Sequence, residues 1–160
     1  MKMKKFLTLG LAAIMAVSMV GCVNQHPEEA NGTAASSDDV RIVATSPATA
    51  DICDRLELDL VGVCSSTLST IPERYKDVTQ IGTAMSPDLE ILKSLKPDYV
   101  LSPSSLQSDL QPKYESIGVN SIFLNLKSVE GMYASISDLG QKFDREEQAQ
   151  ALVDEFNAFM

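Results

Sequence analysis

Met85 carries a soft, polarisable thioether in the short loop Thr83-Ala84-Met85-Ser86, directly ahead of a run with helical spacing. Such a group packs on a ring system, ligates a late transition metal, or simply fills a gap in a core, and the local sequence leaves all three open. Two thiols, Cys53 and Cys64, are the next candidates. In an exported chain a disulfide between them is allowed. Nothing in their spacing demands it, however, and two small, partly buried thiols are the simpler expectation. Neither has a histidine nearby, so a Cys/His metal site is not indicated. The only histidine, His26, falls in a polar, non-periodic stretch and reads as a solvated linker residue. No nucleophile–base pair, phosphate-cradling glycine loop or metal-spaced cluster is present. The chain therefore reads as a binding protein rather than an enzyme.

These groups must be positioned by an alternating pattern. An apolar strand over 41–45 leads into Ser46-Pro47, a helix N-cap followed by proline at the first helical position. The helix is expected over 48–56 and a second strand over 58–64, followed by a Ser/Thr-rich loop at 65–70. Residues 72–76 suggest a single irregular turn. An extended piece at 78–81 precedes the Met85 loop. Ser86 as N-cap and Pro87 as first residue then predict a helix over 88–95, closed by Pro97. A strand follows at 99–102, and a helix at 104–117 that Pro112 is expected to interrupt. A further strand covers 121–126. Helices then start at Ser128, running to 143, and at Asp144, the last with an apolar stripe of Ala149, Leu152, Val153 and Phe156. Strands alternating with helices imply right-handed crossovers and a largely parallel sheet with helices on both faces. In such sheets ligands sit beyond the carboxyl ends of the strands, where the loops at 45–48, 64–70 and 82–86 should converge. Two of these loops lead into expected helix N-termini, whose unpaired N–H groups suit a carboxylate.

The first residues address the chain. Lys2, Lys4 and Lys5 precede an apolar run over 6–20, too short to span a bilayer comfortably, which ends at Met19-Val20-Gly21-Cys22. This is the pattern of a signal peptide. The small residue before Cys22 resembles the lipobox of bacterial lipoproteins, which implies that Cys22 becomes the lipid-modified N-terminus and anchors the chain to the membrane. Removal of the first 21 of 160 residues leaves 139, enough for one domain with a real core. It also removes three lysines, leaving ten basic residues against 22 acidic and a net charge of −12. That balance argues against nucleic acid and against polybasic membrane binding. Residues 22–39, polar and acidic without periodicity, read as a flexible tether.

Three segments carry a more specific likeness. RIVATSPATADICDRLELDLVGV, IPERYKDVTQIGTAMSPDLEILKSLKPDYVLS and FLNLKSVEGMYASISDLG together resemble Gram-positive haem-binding lipoproteins of the iron-regulated surface determinant type. These are class III substrate-binding proteins of ABC transporters. The resemblance covers about 41–160 and implies a Rossmann-like α/β lobe at 40–143, followed at 144–160 by the start of a helix bridging to a second lobe. It implies haem b (Fe protoporphyrin IX) as the transported ligand, with Met85 as an axial iron ligand. Pro47, Ala48, Ser66 and Thr67 are the implied haem contacts. Glu90 matches a position that such receptors use to pair with a permease arginine; a plain first-turn helix charge is the other reading. The implied partners are haem, an ABC permease, upstream cell-wall haem carriers and the outer face of the cytoplasmic membrane. The family's second axial ligand, a histidine, comes from the second lobe, which this sequence does not contain. The expectation is thus one lobe, one ligand and half a pocket, with weak haem binding. An iron–siderophore or corrinoid receptor lobe, or a permease-docking module without ligand, are the alternatives.

Overall fold

The computed structural model describes residues 40–159, all within one compact unit. The expected signal peptide, Cys22, His26 and the whole of the tether lie outside the described residues. The first strand, β1 (Ile42–Ala44), is followed by α1 (Pro47–Arg55), β2 (Leu60–Val63), a 3-10 turn at Glu73–Tyr75 and β3 (Thr79–Gln80). Two very short strands, β4 (Gly82–Thr83) and β5 (Ser86–Pro87), precede α2 (Leu89–Leu95). The chain continues through β6 (Tyr99–Pro103), a 3-10 turn at Ser104–Leu106, α3 (Gln107–Ser116), β7 (Asn120–Leu124), α4 (Val129–Lys142) and α5 (Glu146–Ala158).

Five strands form a parallel sheet in the order β3-β2-β1-β6-β7. The α/β class and the flanking helices follow the sequence pattern. Alternation along β1 splits the core: Ile42 and Ala44 face the layer that holds α1, α4 and α5, with Ile52, Leu56, Ile136, Leu139, Phe143 and Leu152 buried there. Val43 faces the opposite layer, where Leu92 of α2 and Leu110 and Tyr114 of α3 are buried. The stripe of α5 meets α4 and α1 as its pattern requires: Ala149 and Leu152 are buried, and Val153 and Phe156 pack at the margin. An ion pair between Arg55 and Glu155 also links α1 to α5.

Three expectations change. The helix after the Met85 loop is capped not by Ser86 but by Asp88, whose Oδ1 accepts from the Glu90 and Ile91 N–H groups at 3.0 Å each. Ser86 and Pro87 are instead paired antiparallel with Thr83 and Gly82, and that pairing withdraws them from the helix. Pro112 does not interrupt α3. The carbonyl it leaves without a partner belongs to Ser108 in the first turn, where both residues are exposed. Side-chain bonds from Gln107 to Gln111 and from Gln111 to Glu115 run across the same stretch. Cys53 and Cys64 are free thiols, as expected, but fully rather than partly buried. Burial pushes Cys53 up to about 12, with the Asp54 charge adding, and Cys64 up to about 11.

Candidate ligand cleft

Beyond the carboxyl ends of β1, β2 and β3 lies a cleft of about 680 Å³. Each loop that borders it is shaped locally. After β1, Ser46 closes a capping box with Thr49: its Oγ accepts from the Thr49 N–H at 3.1 Å, and its own N–H donates to Thr49 Oγ1 at 3.0 Å. Pro47 then stands at the first helical position and lines the cleft. The cap occupies the Thr49 N–H and Pro47 has none, so of the first three helical positions only Ala48 keeps a backbone N–H outside the cap. At α2 the Asp88 carboxylate occupies the equivalent place. The expectation that two helix N-termini offer several free N–H groups to a carboxylate therefore gives way to one backbone N–H outside each cap, Ala48 on α1 and Leu89 on α2.

After β2, residues 65–69 wrap around one hydroxyl. Ser66 Oγ accepts from the N–H groups of Leu68 and Ser69 at 3.3 and 3.1 Å. This fold-back holds Leu68 out into water, 96% exposed. After β3, Gly82 turns the chain at φ +88°. Gly82–Thr83 and Ser86–Pro87 form a hairpin with Ala84 and Met85 as its two-residue tip. Met85 is thus displayed by a hairpin rather than by a helix N-terminus, and it is 76% exposed. Two backbone bonds fix the hairpin base, from Asp88 N–H to Ile81 O at 2.7 Å and from Ser65 N–H to Gly82 O at 2.8 Å. The second of these joins the Ser66 loop directly to the Met85 hairpin.

The three loops converge as expected. Pro47, Ser66, Thr67 and Met85 all line the cleft. Ala48 is exposed but lies outside the lining, and Glu90 is exposed on the first turn of α2, also outside it. The rest of the lining is Ser65, Ser69, Thr83, Ala84, Gln80 and Leu68. Every lining residue is uncharged, so the walls alternate hydroxyls with apolar groups. Sequence reasoning missed Leu68 and Gln80. For Leu68 a signal existed: it is the lone apolar residue in the run Ser65-Ser66-Thr67-Leu68-Ser69-Thr70.

The place where open α/β sheets commonly bind, the switch point between β1 and β6, is filled from within. Thr45 Oγ1 donates to the Leu101 carbonyl at 3.1 Å and lies 2.7 Å from Ser102 Oγ, which lies 3.1 Å from Tyr114 OH. Because Thr45 spends its proton on Leu101, it accepts from Ser102, which in turn accepts from Tyr114. Burial raises the Tyr114 hydroxyl above its ordinary pKa, in keeping with a donor held protonated. The cleft consequently sits to one side, over β1–β3. Among the described residues there is no group of three or more His, Cys, Asp or Glu side chains that could hold a metal ion, and no helix is long and apolar enough to cross a membrane.

Residues 42–160 match the periplasmic binding protein family. Over 158 residues, 99% of this chain, the sequence is 37% identical to the high-affinity heme uptake system protein IsdE of Staphylococcus aureus (strain Newman) and covers 52% of that protein. The chain thus spans about half the length of the curated relatives it matches. Among solved structures it resembles an ABC transporter substrate-binding protein from Listeria monocytogenes EGD-e, at 43% identity and a TM-score of 0.72, over 74% of this chain and 46% of that one. It also resembles S. aureus IsdE complexed with heme, at 41% identity and a TM-score of 0.72, over 75% of this chain and 46% of that one.

Proposed function

Because the chain belongs to the periplasmic binding protein family, we propose that it is the haem-binding lobe of a substrate receptor for an ABC importer of haem iron. The observation that carries this reading is Met85: a large thioether held 76% exposed at a hairpin tip, on the wall of an uncharged cleft. An exposed methionine adds almost nothing to folding, whereas a neutral thioether is a suitable axial ligand for haem iron. In this reading Pro47, Ser66 and Thr67 touch the macrocycle, and the Ala48 N–H and the loop hydroxyls meet its carboxylates by hydrogen bonds. The absence of Lys and Arg from the lining favours a porphyrin over a polyanionic siderophore, which calls for cations. Because no group of His, Cys, Asp or Glu side chains among the described residues could hold a bare ion, iron enters inside a preformed chelate. The similar protein IsdE, described as a heme uptake system protein and solved in complex with heme, supports the same ligand.

The remaining assignments belong to the same proposal. Cys22 carries lipid and holds the chain on the outer face of the cytoplasmic membrane, with residues 22–39 as tether. Glu90, exposed on α2, pairs with a permease arginine, and α5 leads toward a second lobe. Upstream haem carriers deliver the ligand. The test is a haemin titration of the chain followed by Soret absorbance, beside Met85→Ala. A saturable shift in the parent that is lost in the variant supports the assignment. A parent that binds with a spectrum identical to that of Met85→Ala refutes Met85 as the iron ligand.

A further inference from the structure

Leu68 is the most exposed of the large apolar side chains in the described residues, more so than Met85, and both line the same cleft. Its exposure is built in. Ser66 Oγ holds the N–H groups of Leu68 and Ser69, and the loop base is tied to the Met85 hairpin by the Ser65–Gly82 backbone bond. The loop thus has a defined shape, and that shape keeps a leucine in water where serine or threonine, which flank it on both sides, would be the ordinary choice. Leu68 therefore gives the folded chain no packing of its own; the group that rewards its position must come from outside and be apolar.

Resting on the haem-receptor reading above, we propose that Leu68 is a positioning residue for the porphyrin ring. It packs on the apolar macrocycle while Met85 addresses the iron, so ring recognition by Leu68 and metal recognition by Met85 fall to different loops. The division makes the two residues separable. Metal-free protoporphyrin IX, which has a ring and no iron, depends on Leu68 and not on ligation by Met85. Haemin depends on both.

The experiment titrates the full chain with haemin, read by Soret absorbance, and with metal-free protoporphyrin IX, read by the porphyrin's own fluorescence, since the chain has no tryptophan. Leu68→Ser, Leu68→Met and Met85→Ala are compared with the parent. Leu68 is exposed, so each substitution leaves the fold intact. Burying roughly half of a leucine side chain against the ring makes Leu68→Ser weaker by about tenfold for both porphyrins. The Soret maximum of its haemin complex stays at the parent's position, and Leu68→Met restores parental affinity. Met85→Ala shifts the haemin spectrum and leaves metal-free binding within about twofold. Leu68→Ser binding both porphyrins as tightly as a parent that itself binds saturably overturns the role of Leu68 alone. Absence of saturable porphyrin binding by the parent overturns the haem-receptor reading and this role with it.

Discussion

The hairpin that displays Met85 depends on one glycine, and a second glycine elsewhere supplies the control. Gly82 has φ +88°, and a Cβ built there would lie 2.9 Å from the Ser86 carbonyl oxygen and 3.3 Å from the Asp88 nitrogen, both backbone atoms that cannot swing aside. Gly118, just after α3, has φ +72° with nothing within 4 Å of its would-be Cβ. Alanine at Gly118 meets only the conformational penalty, about 1 kcal/mol. Alanine at Gly82 meets the same penalty plus displacement of the hairpin backbone, about 1–2 kcal/mol more by analogy with overpacking. The expected losses are therefore roughly 1 kcal/mol for Gly118→Ala and 2–3 kcal/mol for Gly82→Ala. With about 4 °C per kcal/mol for a domain of this size, the melting temperatures fall by about 4 °C and about 10 °C. Thermal melts by far-UV circular dichroism separate the two cases. Equal shifts would mean that the hairpin yields freely, and the close packing at its base would then not be what holds Met85 in place.

Two further outcomes follow from other parts of the molecule. Asp88→Ala should cost about 1 kcal/mol through loss of the α2 cap, whereas Ser86→Ala, with no helix N–H on its hydroxyl, should stay within about 0.5 kcal/mol by urea titration; the reverse order would return the helix start to Ser86. The buried thiols should make stability fall in alkali. Their folded pKa values lie above the thiol's ordinary 9.0, at about 12 and about 11, so the unfolded chain loses these protons first. Stability is then full below pH 9 and declines as pH rises toward 11, by about 1.4 kcal/mol per pH unit for each thiol. Urea midpoints that are unchanged between pH 9 and pH 10.5 would contradict their burial.

The layered α/β fold was legible because its signals are local and redundant. Ser46-Pro47 marks both the end of β1 and the start of α1, and the stripe Ala149, Leu152, Val153, Phe156 already defines the inner face of α5. The start of α2 was misread because Ser86-Pro87 carries the same signal as Ser46-Pro47, and only a cross-chain pairing with Gly82-Thr83 distinguishes them. Propensity favours a cap at either Ser86 or Asp88, and the hairpin decides. Pro112 misled in the opposite sense, since the carbonyl it leaves open lies at an exposed first turn. The convergence of the loops at 45–48, 64–70 and 82–86 was legible because each follows a strand end, whereas Pro47, Ser66 and Thr67 were singled out within them by the resemblance to haem-binding lipoproteins. Leu68 was passed over because sequence gives no exposure, and a leucine is read as core by default. The buried chain Tyr114–Ser102–Thr45 joins residues 12 and 57 positions apart, a relation that no local pattern encodes.

The bond from the Ser65 N–H to the Gly82 carbonyl has a consequence for the entropy of capture. Loops that must freeze around a ligand lose rotational freedom at the moment of binding, and that loss is subtracted from every contact they make. Here the Ser66 turn, the hairpin and the bond between them settle both loops when the chain folds, before any ligand arrives. A cleft of modest area, open on one side, then keeps most of what its few contacts contribute. Departure is equally simple, because no ordered backbone has to melt for a ligand to leave. Tied together in advance and open to solvent, the cleft has, on the haem-receptor reading proposed above, what a cargo that is both held and surrendered requires.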